Sequence, residues 1–207
     1  MSGITDPAHE LVQLLETLAA PSEMRASSFL ADKFHVEEGS LEFYKILFSV
    51  IERIDLVSKL IETSPDTSHI RDDMIDHLGK VKIVFNVKSL NSSWSGIGAP
   101  ALSSSNLLPL KMASPLLRQQ VSYPSLLAEE RDEVLALVEQ LLEWLESHQL
   151  EDNDFIRQAI IDGLKMFVFR LERLEILGWG YSVDSLKEII TAYMAMEGGF
   201  HEDDTMP

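Results

Sequence analysis

Apolar residues recur every three or four positions along most of this chain. That is the period of an amphipathic helix, and it predicts an all-α fold, a helical bundle of about six or seven helices with a long irregular connector in the middle. Leu11, Leu14, Leu15 and Leu18 form the first stripe, behind Thr5 or Asp6 as N-cap and Pro7 at the first helical position. Pro21 stops that helix, and a short second one is expected from about 23 to 34 with Phe29, Leu30 and Phe34 inward. Ser40 is the N-cap of a long third helix over 41–63. Its stripe runs through Leu41, Tyr44, Leu47, Phe48, Ile51, Ile54, Val57, Leu60 and Ile61, and Phe43, Ile46 and Val50 widen it. A helix that apolar is expected to be touched on two sides. After Ser64-Pro65, a fourth helix capped within 66–68 is expected to reach Val87 along Ile70, Met74, Leu78, Val81, Val84 and Phe85.

The period then fails. Residues 88–106, rich in Ser, Gly and Asn, read as a loop, with Trp94 in its middle as an anchor. A short helix can follow between Pro109 and Val121. Beyond Pro124 the helical pattern returns. One helix is expected to about 149, with Leu127, Val134, Leu137, Val138, Leu141, Leu142 and Leu145 as its stripe. A second is expected from Phe155 to about 177, and a last one over 183–196 after the Gly178–Ser182 turn. The expected organisation is an N-terminal helical group (5–87), a Ser/Gly-rich connector (88–123), a C-terminal three-helix group (124–197) and a disordered tail (198–207).

Charge sharpens this division. The chain of 207 residues has a formal net charge of −17, and residues 124–207 hold 19 acids against 6 basic residues. From His77 to Ala128 there is no acid at all, while Lys80, Lys82, Lys88, Lys111 and Arg118 fall there. An acidic balance of this size disfavours broad contact with phosphate backbones and favours a basic partner. There is no cysteine, so disulfides and thiolate metal sites are excluded. No basic-then-apolar leader opens the sequence and no apolar run is long enough to span a bilayer, so a cytoplasmic protein, bacterial in character, is expected with no membrane partner.

Three constellations could carry chemistry. His69, Asp73 and His77 are spaced i, i+4, i+8, which on a helix aligns two imidazoles and a carboxylate as potential metal ligands; the expectation is nevertheless of no cofactor. Arg71-Asp72-(x4)-His77 resembles the R-x(4–6)-H pattern of HEPN-type ribonucleases, small helical dimers of bacterial toxin and phage-defence systems. The resemblance covers seven residues and sits earlier in the chain than is usual in that family. It implies His77 as general acid/base, Arg71 on a phosphate and an RNA substrate. Arg71 and His77 lie about 120° apart around a helix, so their convergence would need a second protomer. The third constellation sets Arg170 and Arg173 one turn apart beside Trp179 and Tyr181, the composition of a protein interface, to which Trp94 adds an aromatic.

Taken together, these features lead to an interaction or regulatory protein, antitoxin- or immunity-like, that binds a basic protein and is more an adaptor than an enzyme. A ribonuclease through Arg71 and His77, and a scaffold subunit of a larger complex, are the alternatives. Broad apolar stripes also leave room for a homodimer.

Overall fold

The structure is a computed structural model describing residues 3–147, 154–183, 186, 187 and 190. Among the described residues the fold is all-α, with nine helices and one strand pair of two residues each. The chain divides into two compact units. The first comprises residues 3–125 together with 175–180, and the second comprises 126–174 and the chain from 181 onward.

The first unit is built on α1 (Pro7–Leu18), α2 (Ala26–Phe34), α3 (Leu41–Thr63), α4 (Arg71–Val84), α5 (Trp94–Ala101) and α6 (Ser104–Leu117). Asp6 caps α1 by accepting from His9 N at 2.9 Å, with Pro7 at the first helical position. Ser40 caps α3 by accepting from Phe43 N at 3.0 Å. These are the orphan amides that a helix start leaves for a side-chain oxygen. α2 ends at His35, whose φ of 55° is the left-handed stop usually given to glycine. α1 packs on α6 and α3, and α4 packs on α3, α5 and α6. β1 (Ile4–Thr5) pairs antiparallel with β2 (Tyr123–Pro124) and ties the two ends of this segment together.

The 88–106 stretch differs from the loop expected of it. Ser89–Asn91 forms a 3-10 turn, and α5 and the start of α6 occupy the remainder. Ser93 accepts from Gly96 N at 3.2 Å as the N-cap of α5. Trp94 drives this order. It is fully buried, stacks on Phe29 with ring centroids 4.6 Å apart, and donates from Nε1 to Leu18 O at 3.0 Å. Burial of an indole outweighs the poor helix propensity of a Gly- and Ser-rich stretch. The acid-free segment also lies across its acidic neighbours. Lys82 meets Asp55 at 2.6 Å, Lys111 meets Glu16 at 2.5 Å, and Arg118 meets the buried Asp6 at 3.0 Å.

Two other expectations shift. The fourth helix begins at Arg71, because Pro65–Thr67 closes a separate 3-10 turn whose Thr67 hydroxyl donates to Ile61 O and Ser64 O. On α3, Leu41 and Phe48 stand exposed, since the neighbouring helices cover the face of Phe43, Ile46, Leu47, Val50, Ile54 and Val57.

The second unit holds α7 (Ala128–Ser147) and α8 (Asp154–Glu172), which pack on each other. Leu145, Ile161 and Leu164 form their shared core, flanked by Val138, Leu142 and Ile160. Arg157 donates to Leu145 O at 2.8 Å and Lys165 meets Glu146 at 2.7 Å. Phe155, where this helix was expected to start, is exposed in the first turn of α8. A short α9 (Leu174–Leu177) leads into Gly178. The expected last helix falls largely outside the described residues, and the expected tail from 198 wholly so. No helix among the described residues is long and apolar enough to cross a membrane.

Candidate functional site

The residues singled out around α4 do not converge. Arg71 donates from Nη2 to Ser64 O at 3.2 Å and so caps the end of α3, where the last carbonyls lack helical partners. Its Nε is buried without a hydrogen-bond partner. His77 turns the other way. It is half-buried beside α6, lining a dimple with Met74, Leu78, Val81, Asn106, Leu107 and Leu110 that has room for little more than one water. His69 and Asp73 are exposed, and His69 precedes the first residue of α4, so the single helical face that would align it with Asp73 and His77 is not formed. Among the described residues no group of three or more His, Asp or Glu is placed to hold a metal ion.

The aromatic and arginine positions are engaged within the fold. Trp94 belongs to the core and presents no surface. Arg170 lies over the Tyr181 ring, 4.1 Å from its centroid, and donates to the Tyr181 hydroxyl at 3.0 Å. Arg173 lies 4.3 Å over Phe169 and meets Glu172 at 3.0 Å. These stacked, half-buried guanidiniums hold the end of α8. Trp179, half-buried, belongs to a different arrangement in the first unit.

That arrangement is a polar centre which the periodicity did not single out. Glu10 of α1 accepts from Gly180 N at 3.1 Å, and buried Arg53 of α3 donates to Ile176 O. Burial pushes the Glu10 carboxyl above its ordinary value, against the opposing pull of the Gly180 amide, the Arg53 charge and the Trp179 amide. Gly178, at φ 78°, takes a left-handed turn over this pair; a Cβ there would come within 2.7 Å of Glu10 Oε2 and 2.8 Å of Arg53 Nη2. A Cβ on Gly180 would fall inside the van der Waals space of the Tyr123 ring. The available signal was Arg53 itself, a cation on the inward face of α3 in line with Ile46, Val50 and Val57.

The surface of the second unit has a different character. α7 shows three faces. Val138, Leu142 and Leu145 pack toward α8. Leu137, Leu141 and Trp144, about a quarter-turn away, are 65%, 44% and 52% exposed. The remaining surface is acidic: between Ala128 and Ser147 lie Glu129, Glu130, Asp132, Glu133, Glu139, Glu143 and Glu146 against the single cation Arg131. The chain matches no protein-family model, no curated protein and no solved structure.

Proposed function

We propose that this chain is a non-enzymatic interaction protein, acting in the cytoplasm as a helical regulator of the antitoxin or immunity kind, and that its second unit recognises a basic protein. The observation that supports this reading is the charge of α7, whose exposed Glu129, Glu133, Glu139 and Glu143 face solvent along one helix. Such a surface raises the local concentration of cationic partners and speeds their encounter, an effect that salt screens. Within one protomer Arg71 is tied to Ser64 and His77 lines a small dimple, so the ribonuclease alternative still needs a second protomer to bring the two together.

The test is binding of the full chain to cationic proteins from its own source cells, at low and high salt, with wild type and a Glu129→Lys/Glu133→Lys/Glu139→Lys/Glu143→Lys variant. Salt-sensitive binding by wild type, absent in the variant, is expected. Equal binding by both would sink the reading. Cleavage of RNA by the purified chain, abolished in a folded His77→Ala variant, would replace it with the enzymatic one.

A further inference from the structure

We infer that residues 175–180 are a strap that withdraws from its seat on α1 and α3 while the rest of the first unit stays folded, a conformational device independent of the acidic surface of α7. The packing of α1 on α6 and α3, of α4 on α3, α5 and α6, and the β1–β2 pair all lie within residues 4–124. Trp94, stacked on Phe29 and tied to Leu18 O, belongs to the same stretch. The helices α1 to α6 therefore hold one another, and the strap is laid on a core that is already formed.

The two ends of the strap are secured apart from its tip. Arg170 lies 4.1 Å over the Tyr181 ring and donates to its hydroxyl at 3.0 Å, and both residues belong to the second unit. Residues 171–180 thus form a loop whose closure does not depend on where its tip is seated. Lifting the tip leaves that closure intact, so the opening need not spread into α8.

The tip itself is held by a specific fit. Leu177 is fully buried and is its apolar anchor, which makes the seated form the ground state. Glu10 accepts from Gly180 N at 3.1 Å, and Arg53 donates to Ile176 O. Both are ties from a charged side chain to the backbone, which water replaces once the strap lifts. Burial also holds the Glu10 carboxyl above its ordinary value, a cost of seating that withdrawal relieves. Gly178, at φ 78°, turns the strap so closely over the pair that a Cβ would come within 2.7 Å of Glu10 Oε2 and 2.8 Å of Arg53 Nη2. A fit this close is either made or lost, so the strap has two states rather than a range of positions. Withdrawn, it exposes Leu177 and opens the seat in which Glu10 and Arg53 sit.

The test is hydrogen exchange of the full chain, read by mass spectrometry across low concentrations of urea. The peptide covering 175–181 is expected to exchange at least about tenfold faster than peptides from α3. Its opening should barely respond to urea, because little surface is exposed, whereas that of α3 should respond steeply. Equal rates with one shared urea slope would show that the strap opens only with the whole unit, and would overturn the inference. Exchange of 175–181 at the rate of an unstructured peptide would show it never seated, and overturns it as well. A Leu177→Ala/Gly178→Ala variant then separates the strap from the unit it closes. It is expected to lose protection over 175–181 while α1, α3, α4 and α6 stay protected and unfold in one cooperative transition. Loss of protection throughout the first unit, or failure of this variant to fold, makes the strap an integral part of the core and likewise overturns the inference.

Discussion

Trp94 and Trp144 are the same residue type in two opposite settings, and they show how the two units differ. Trp94 is fully buried, stacked on Phe29 and hydrogen-bonded to Leu18 O. Trp144 is half open to solvent on α7. The first unit ties distant parts of its chain together through buried polar groups: Asp6 accepts from Ser114 and from Arg118, and Arg53 reaches Ile176. In the second unit α7 and α8 share one row of apolar contact, while Leu137, Leu141 and Trp144 of α7 remain partly exposed. The first unit is therefore organised for its own stability. The second shows large apolar side chains partly exposed beside an acidic surface on α7.

The comparison can be broken in the first unit by large losses. Trp94→Ala is expected to cost about 3–5 kcal/mol, read as a shift in the urea midpoint, because it removes a buried indole and leaves a cavity. Asp6→Ala should cost about 2–3 kcal/mol by the same measurement, since it removes the N-cap of α1 and the acceptor of both Ser114 and Arg118. Gly180→Ala should cost about 1–3 kcal/mol through its clash with Tyr123, with no comparable cost from alanine at the exposed Gly79, beyond the usual gain in helix propensity.

A smaller effect comes from pH. Glu10 has a carboxyl raised above 4.5, so between that value and its folded value the native state holds more protons than the unfolded one. Its contribution to stability is therefore fully present below pH 4.5 and is lost as pH rises through the folded value. Glu10→Gln, which keeps an acceptor for Gly180 N, should flatten the decline of melting temperature with pH across that window; an unchanged slope would remove Glu10 as its source. The smallest effect sharpens the contrast. Leu137→Ala should change stability by no more than about 0.5 kcal/mol, and a loss approaching that of Trp94→Ala would erase the distinction between the units.

Much of the fold was legible in the pattern of residues. α3 runs over the expected 41–63, and the Asp6-Pro7 and Ser40 starts are where the capping residues place them. The centre of the chain was not legible, because α5 and α6 owe their order to contacts such as those of Trp94, which no local period records. Periodicity also merged the two rows of α7 into one stripe. Leu137 and Val138 are neighbours in sequence and equally apolar, yet Val138 is packed and Leu137 is open, and only the position of α8 separates them. His69, Asp73 and His77 do not share one helical face for a local reason, since the 3-10 turn at Pro65–Thr67 leaves His69 ahead of the start of α4. Glu10 and Arg53 were hidden because their common target, 176–180, lies more than a hundred residues away.

That target has a consequence for synthesis. Residues 175–180 complete the first unit, yet the whole of 126–174 is made before them. A chain emerging from the ribosome at about 5–20 residues per second holds Glu10 and Arg53 without their closing segment for several seconds after residue 125 has appeared. During that interval the α7–α8 hairpin can form from local contacts, so part of the second unit can be in place before the first is complete.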